Sequence, residues 1–167
     1  MAGMKKITRM DHIALMVSDL DRSFHFYHQL LGLEVEEYVE HPTPGNTNIQ
    51  GVSKMTRFPD VRIREYRLKM PENPGMTLDL IEWITPKSPV GRYPLHHVPS
   101  AHICFDVDDI EATHEFLKGE GVEFVSPPVY WETEEGGWVV LFFYDPDGNL
   151  LELNQPQPHH QKAESSA

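Results

Sequence analysis

The chain contains an internal repeat, and this repeat restricts the possible folds more than any other feature of the sequence. The segments that begin at His12 and His102 both contain a histidine, an alternating apolar stretch, an acidic cluster and a helical pattern. The aligned stretches are 12–21 over 102–111, 26–27 over 116–117, and 33–35 over 122–124. We therefore predict that the chain consists of two copies of one structural unit.

Each copy is predicted to form one strand, one helix and three further strands. In the first copy, Ser18 or Asp19 begins a helix that runs to about Leu31, and Gly32 ends it. In the second copy, the helix runs from about Asp109 to Lys118. From alternation and turn residues, strands are expected near 10–17, 34–40, 62–70, 76–83, 101–107, 122–126, 137–144 and 150–154. The fold class is therefore α+β, with two tandem βαβββ modules that form a cupped, mixed β-sheet.

The modules are expected to form one domain over residues 8–155. Its parts are module one at 8–84, a proline-rich linker at 85–99 and module two at 100–155. Residues 41–60 are rich in Pro, Gly, Asn and Thr, which predicts a long loop able to close over the sheet. Residues 156–167 are polar and predict a disordered tail.

Charge and cysteine content exclude several classes of partner. The net charge is -12, from 26 acidic against 14 basic residues, so the surface repels nucleic acid and anionic membranes. No apolar run is long enough for a membrane span or a secretory signal. Cys104 is the one cysteine, so no intrachain disulfide can form. We therefore expect a cytoplasmic protein.

Polar side chains recur at matched strand positions in the two copies. His12 and His102 each alternate with apolar residues that bury the helix, so both histidines point to the other face of their strands. Glu152 lies between two leucines in the last strand, and Asp79 is its equivalent in the first copy. A lone strand histidine is more often structural, but matched recurrence in two repeats favours a joint role.

Two imidazoles with one or two carboxylates suit a divalent metal ion such as Fe, Ni, Co, Mn or Zn, with positions left open for substrate. The predicted metal ligands are His12, Asp79, His102 and Glu152. Because aspartate is one carbon shorter than glutamate, Asp79 can also be expected to reach the metal only through water.

Seven short segments together resemble a known family. They are Asp11-His12-Ile13-Ala14-Leu15, residues 17–23, Phe26-Tyr27, Leu31-Gly32-Leu33, Ala101-His102-Ile103, residues 145–149 and Leu151-Glu152-Leu153. This pattern resembles the vicinal oxygen chelate superfamily, which includes glyoxalase I, methylmalonyl-CoA epimerase, extradiol dioxygenases and the bleomycin and fosfomycin resistance proteins. The resemblance covers residues 8–155 and implies the glyoxalase/bleomycin resistance/dioxygenase-like fold.

The resemblance also implies a metal-dependent enzyme whose substrate binds the ion through two adjacent oxygens. In the isomerases of the family, a carboxylate at the metal takes a proton from the carbon next to a carbonyl. Glu152 is the first candidate for that catalytic base and Asp79 the second. The family's usual fourth ligand is Glu or Gln, so Asp79 is a departure from the pattern.

Three functional classes compete, and the complete ligand set favours an isomerase or lyase. An extradiol-type non-haem Fe(II) dioxygenase would use His12, His102 and Glu152. However, the position of that family's tyrosine is Phe142, and residues 130–144 contain no histidine. A non-catalytic, ligand-sequestering protein of the bleomycin-resistance kind would generally lack the metal residues. In the superfamily the modules pair within a chain or between chains, and we expect a homodimer.

Aromatic residues on the last strands define a candidate substrate pocket, formed by Trp83, Trp138, Phe142 and Tyr144. Residues at this spacing more often belong to the core, but on the metal side they would favour an apolar or aromatic substrate. A basic cluster lies on or before one predicted strand and consists of Arg57, Arg62, Arg64 and Arg67. It has two interpretations, a carboxylate-binding cluster or solvated surface charge, and the second is favoured.

Overall fold

The computed structural model describes residues 7–41, 49–73, 75–98, 100–133 and 136–157. The chain divides into two compact units, Met1–Val90 and Gly91–Ala167. Each unit contains one four-stranded mixed sheet with one face covered by a helix. The predicted α+β class with two modules is confirmed, while the single-domain limits 8–155 stay a prediction.

Unit 1 has the predicted order of one strand, one helix and three strands, with an added helix. Its elements are β1 (His12–Val17), α1 (Leu20–Phe24), a π-helical segment (His25–Leu30), β2 (Glu34–His41), α2 (Ile49–Thr56), β3 (Arg62–Lys69) and β4 (Thr77–Thr85). The strand order in sheet 1 is β1-β4-β3-β2. Strand β1 is parallel to β4, and the other pairs are antiparallel.

Unit 2 repeats this arrangement. Its elements are β5 (His102–Asp106), α3 (Ile110–Gly119), β6 (Val129–Thr133), β7 (Gly136–Tyr144) and β8 (Leu150–Gln157). The strand order in sheet 2 is β5-β8-β7-β6, with β5 parallel to β8. No helix among the described residues is long and apolar enough to cross a membrane.

An aspartate caps each main helix, as the repeat predicts. Asp19 Oδ1 accepts a hydrogen bond from Arg22 N at 3.0 Å, and Asp109 Oδ1 accepts one from Ala112 N at 2.9 Å. These side chains satisfy backbone donors that a helix leaves unpaired in its first turn. Gly32, which has a φ of +78°, follows the first helical segment, in a conformation that glycine adopts without strain.

A second contact anchors each helix to the last strand of its own sheet. Leu20 N donates to Glu82 Oε2 at 3.4 Å in unit 1, and Ile110 N donates to Gln155 Oε1 at 2.9 Å in unit 2. Glu82 is buried and also accepts hydrogen bonds from Arg64 Nη2 at 2.6 Å and Nε at 3.0 Å. Burial alone would raise the pKa of Glu82, but Arg64 lowers it below the ordinary value.

Substitutions of Glu82 should distinguish its hydrogen bond with Leu20 N from its ion pair with Arg64. Glu82→Ala is expected to lower the free energy of unfolding by about 1–3 kcal/mol, because Leu20 N and the Arg64 guanidinium lose a buried acceptor. Glu82→Gln should cost less, because the second repeat makes the same helix contact with Gln155. Urea titrations from pH 7 to pH 3 measure both effects.

Because the pKa of Glu82 is lowered in the folded protein, the direction in which stability changes with pH can be predicted. The ionised carboxylate stabilises the fold above its ordinary pKa of 4.5, and this contribution is lost as pH falls through the lower folded value. Glu82→Gln should therefore flatten part of the acid dependence of stability. An unchanged acid dependence in Glu82→Gln would contradict this role.

One predicted loop and one predicted strand differ from the structure. The long loop at 41–60 contains α2, which lies between Pro44 and Pro59 and has no proline of its own; residues 42–48 lie outside the described residues. The strand predicted at 122–126 is a single bridge between Phe124 and Phe143. Regular pairing begins at Val129 in β6, because Pro127 and Pro128 have no N–H to donate to a ladder.

The predicted tail also begins too early. Strand β8 continues to Gln157, where Pro156 pairs with Trp138 and Gln157 with Gly137. Residues 158–167 lie outside the described residues. At the start of the predicted linker, Thr85 still belongs to β4.

Candidate functional site

The two sheets place the predicted site residues at equivalent positions. In sheet 1, His12 lies opposite Thr77 and Ala14 opposite Asp79. In sheet 2, His102 lies opposite Leu150 and Cys104 opposite Glu152. Paired residues point to the same side of a sheet, so each histidine shares a face with the carboxylate of its own unit. We call this face, opposite the helix, the site face of each sheet.

In unit 2 the predicted histidine and carboxylate are in direct contact. His102 Nε2 lies 2.9 Å from Glu152 Oε2. The Glu152 side chain is 15% exposed and the His102 side chain 42% exposed, so the pair is accessible from one side. The Phe142 ring meets the His102 ring edge-on, with centroids 5.3 Å apart, and Phe142 lies opposite Glu152 in the ladder.

The donor atoms of this pair fit a divalent metal ion. In octahedral coordination, two adjacent ligand atoms that each lie roughly 2.1 Å from the ion are about 3 Å apart. The separation between His102 Nε2 and Glu152 Oε2 matches that value. Within the described ranges, no three His, Cys, Asp or Glu side chains are grouped closely enough to hold a metal ion, so the fit rests on this pair.

Cys104 lies beside the pair on the site face of sheet 2. Desolvation, followed by the negative charges of Glu152 and Asp106, raises the pKa of the Cys104 thiol from 9.0 to about 11. A thiol with so high a pKa is a poor nucleophile at neutral pH, because the thiolate is the reactive form. Cys104 therefore reports on the charge of Glu152 and is not itself suited to nucleophilic catalysis.

The thiol should react slowly with alkylating reagents in the folded protein. A shift from 9.0 to about 11 reduces the thiolate at pH 8 by about 100-fold. Iodoacetamide labelling of the native chain should therefore be slower than that of the urea-unfolded chain by about tenfold, because the greater intrinsic reactivity of a more basic thiolate offsets part of this loss. Because Cys104 is the one cysteine, mass spectrometry measures its rate without ambiguity.

Glu152→Gln provides the charge control for this measurement. It should raise the native labelling rate at pH 8 several-fold, but not to the unfolded rate, because desolvation is the larger cause of the shift. Glu36→Gln, which removes an exposed carboxylate of unit 1, should leave the rate unchanged. Equal labelling of native and unfolded chains would contradict the raised pKa.

His12 has a carboxylate partner on the side of its ring away from Nε2. Its Nδ1 lies 3.2 Å from Asp11 Oδ2, and Arg9 contacts the other oxygen of Asp11. The hydrogen bond with His12, followed by the charge of Arg9, lowers the pKa of Asp11. A carboxylate on one ring nitrogen orients the imidazole and leaves the other nitrogen to bind a metal, as is common around metal-binding histidines.

Asp79, in contrast, is already occupied by protein groups. Arg67 Nε and Nη2 donate to its two carboxylate oxygens, each at 3.3 Å, and Thr77 Oγ1 donates to Oδ1 at 2.8 Å. The Asp79 side chain is 3% exposed. The structure therefore places Asp79 on the predicted face but within an ion pair that sequence analysis did not anticipate.

Glu65 is a further acidic residue on the site face of sheet 1 that sequence reasoning missed. It lies opposite Ile81 in the ladder, and its side chain is 14% exposed. Burial, followed by the negative charge of Asp79, raises the pKa of Glu65. Alternation along β3 places Glu65 and Arg67 on one face, which is the sequence signal that could have identified it.

The predicted pocket aromatics fall on the site faces, not in the helix-covered core. Trp138, Phe142 and Tyr144 share the site face of sheet 2, and Trp138 lies opposite Trp131 in the β6–β7 ladder. Trp138 is 40% exposed, and the Arg92 guanidinium stacks over the Tyr144 ring at 3.4 Å. In unit 1, Trp83 Nε1 donates to Met16 Sδ at 3.0 Å.

The basic cluster is divided between the two faces of sheet 1. Arg64 binds Glu82 on the helix side, and Arg67 binds Asp79 on the site face. Arg62 and Arg57 are exposed. Two of the four arginines are thus paired with buried carboxylates, so neither predicted interpretation describes the whole cluster.

Comparison with known proteins identifies related chains. The family model described as the Glyoxalase/Bleomycin resistance protein/Dioxygenase superfamily matches residues 9–153. An ethylmalonyl-CoA/methylmalonyl-CoA epimerase of Cereibacter sphaeroides is 31% identical over 89% of this chain and 98% of its own length. A probable lactoylglutathione lyase of Vibrio cholerae is 28% identical over 91% of this chain and 94% of its own length.

Solved structures share the fold. A glyoxalase family protein from Bacillus cereus superposes with a TM-score of 0.77 at 20% identity, covering 94% of this chain and 99% of that one. A trypanothione-dependent glyoxalase I from Leishmania major gives a TM-score of 0.58 at 23% identity, covering 89% of this chain and 87% of that one. At these identities, the likeness concerns the fold alone.

Proposed function

Because the chain belongs to the Glyoxalase/Bleomycin resistance protein/Dioxygenase superfamily, we propose that it is a metal-dependent isomerase or lyase that moves a proton on a small substrate. The observation that carries the proposal is the 2.9 Å contact between His102 Nε2 and Glu152 Oε2 on the site face of sheet 2. The names of relatives at 27–31% identity, which are epimerases and lactoylglutathione lyases, support the same class of reaction.

The proposed metal ligands are His12, His102 and Glu152. Their support is the equivalent register of the two histidines in the two sheets, together with the donor spacing in unit 2. A divalent ion held there would act as a Lewis acid, stabilising negative charge that develops on a substrate oxygen. Fe, Ni, Co, Mn and Zn all accept this mixture of imidazole and carboxylate ligands.

Glu152 is the proposed general base. Its carboxylate would accept the proton from the carbon next to a substrate carbonyl: the C–H bond breaks, and its electron pair delocalises onto the carbonyl oxygen. On a substrate whose deprotonated carbon carries a hydroxyl group, the protonated Glu152 would then deliver the proton to the former carbonyl carbon, while the hydroxyl proton passes to the former carbonyl oxygen, which completes an isomerisation. A half-buried carboxylate between a histidine and a phenylalanine is partly shielded from water, which favours proton transfer over solvation.

Exchange of hydrogen for deuterium tests this proposal directly. The protein, loaded with each candidate metal in turn, is incubated in D₂O with methylmalonyl-CoA or with S-lactoylglutathione, and exchange is followed by NMR. These two thioesters are the compounds that the names of the relatives indicate. We expect metal-dependent deuterium incorporation next to the carbonyl in at least one of them.

Two results would contradict the proposal. Metal-dependent oxygen consumption without exchange would identify an oxygenase. A metal-loaded protein that exchanges neither thioester, yet binds one of them, would identify a ligand-binding protein.

A further inference from the structure

The equivalent carboxylates of the two repeats have different contact partners. Glu152 and Asp79 occupy matching positions, each opposite a residue of the next strand, which is Phe142 in sheet 2 and Arg67 in sheet 1. Phe142 brings no charge to Glu152, which contacts His102 instead. Arg67 brings a permanent positive charge to Asp79.

The ion pair uses both oxygens of Asp79. Arg67 presents Nε to Oδ1 and Nη2 to Oδ2, which is the two-point geometry that a guanidinium and a carboxylate favour. Thr77 adds a third donor on Oδ1, and the Asp79 side chain is almost fully buried. Metal binding at Asp79 would therefore require this buried carboxylate to give up its hydrogen bonds with Arg67, whose side chain is 37% exposed, and with Thr77.

The surroundings of Arg67 hold its guanidinium at this position. Glu65 Oε1 lies 3.7 Å from Nη2, and Glu37 Oε2 lies 4.0 Å from Nη1. The hydrogen bond and charge of Asp79, with the charges of these two carboxylates, raise the pKa of Arg67, so it stays cationic. A metal dication at Asp79 would meet this fixed positive charge, which opposes its binding.

We infer that Asp79 fixes Arg67 on the site face of sheet 1 and does not bind the metal ion. This inference depends on the proposed function, because it concerns which residues hold the metal. The sequence predicts four metal ligands, and this inference removes Asp79 from that set. The proposed protein ligands are then His12, His102 and Glu152. One more position on the ion is then open to substrate oxygens or water. Asp79 is accordingly a positioning residue for Arg67 and is not a second catalytic base.

Cobalt binding to the metal-free chain tests the inference without any activity measurement. Titration with Co²⁺ is followed by calorimetry, and the visible absorption spectrum reports the coordination of the ion. Asp79→Asn is expected to keep the affinity within about threefold of wild type and to keep the spectrum. Glu152→Gln, which removes a ligand, should weaken binding by about 100-fold or more, since even outer partners of metal ligands are worth 10–100-fold.

Removal of the arginine provides the converse test. Arg67→Met frees the Asp79 carboxylate and should strengthen Co²⁺ binding by about tenfold, with an altered spectrum, if that carboxylate then joins the metal. In the double variant with Asp79→Asn, the gain should disappear. The urea midpoints of the metal-free single and double variants should be non-additive, because both substitutions break the same pair.

The outcomes separate the two proposals. If Asp79→Asn weakens Co²⁺ binding as much as Glu152→Gln does, the inference is wrong while the metal site stands. If the wild type binds no Co²⁺, the proposed metal-dependent function fails. Additive urea midpoints would show that Arg67 and Asp79 do not act as a pair and would overturn the inference even in a metal-binding protein.

Discussion

Glu152→Gln is expected to lower the rate of hydrogen–deuterium exchange next to the substrate carbonyl by about 10²–10⁴-fold. The amide retains the shape of the side chain and its position between Leu151 and Leu153, but it cannot accept the proton. The rate is measured in D₂O at metal concentrations that saturate the variant, so that weaker metal binding does not contribute. Under these conditions, the loss reports the proton-transfer function of the carboxylate.

The urea midpoint separates this function from a loss of structure, because the midpoint of metal-free Glu152→Gln should stay close to that of the wild type. Glu36→Gln removes an exposed carboxylate in unit 1 and should leave the exchange rate unchanged. A Glu152→Gln variant that exchanges at the wild-type rate with metal bound would show that another group is the base.

Phe143→Ala is expected to lower the free energy of unfolding by about 3–5 kcal/mol. The Phe143 side chain is fully buried on the helix side of sheet 2, with Leu141 and Leu151 buried on the same face. Its removal leaves a cavity that a packed sheet cannot close. Urea denaturation of the metal-free protein at pH 7 measures the loss.

The neighbouring residue is the matched control. Phe142→Ala removes an equal side chain from the site face, where Phe142 is half-buried and meets the His102 ring. We expect a loss below about 1.5 kcal/mol, with weaker metal binding, because His102 loses a contact that orients its ring. Equal destabilisation by both substitutions would contradict the assignment of the two faces.

The fold can be predicted from the repeat because the alternation of polar and apolar residues shows which side chains of a strand share a face. His12 and His102 alternate with residues such as Ile13 and Ile103, and the two ladders place them at matching positions. The first residue of each main helix can also be predicted, because Asp19 and Asp109 provide the capping side chains that a first turn requires.

Side-chain contacts between neighbouring strands are harder to predict from the sequence. Whether Arg67 reaches Asp79 depends on the β3–β4 register, which alternation within one strand does not specify. Helix α2 is hard to predict because Pro, Gly and Asn are frequent in residues 41–60 as a whole, although 49–56 contains no proline. The prolines at 127 and 128 moved the pairing of β6 beyond the predicted strand.

The sequence predicts which side chains could bind a metal at the site, but it does not predict which residue each carboxylate contacts. Side-chain types identified two imidazoles and two carboxylates, and the structure shows that one carboxylate contacts a histidine while the other contacts an arginine. That difference arises from the residue opposite each carboxylate, Phe142 in one sheet and Arg67 in the other. Such a difference becomes visible only when the ladders are known.

Metal content is the most direct test of the central claim that His12, His102 and Glu152 hold a divalent ion. The untagged chain is purified without chelators, and metal is quantified by mass spectrometry in the wild type and in His102→Ala. We predict one ion per chain in the wild type and its loss in His102→Ala, with folding retained because His102 lies on the site face and not in the core. A wild type that stays metal-free after reconstitution, or a His102→Ala variant that keeps its ion, would contradict the claim.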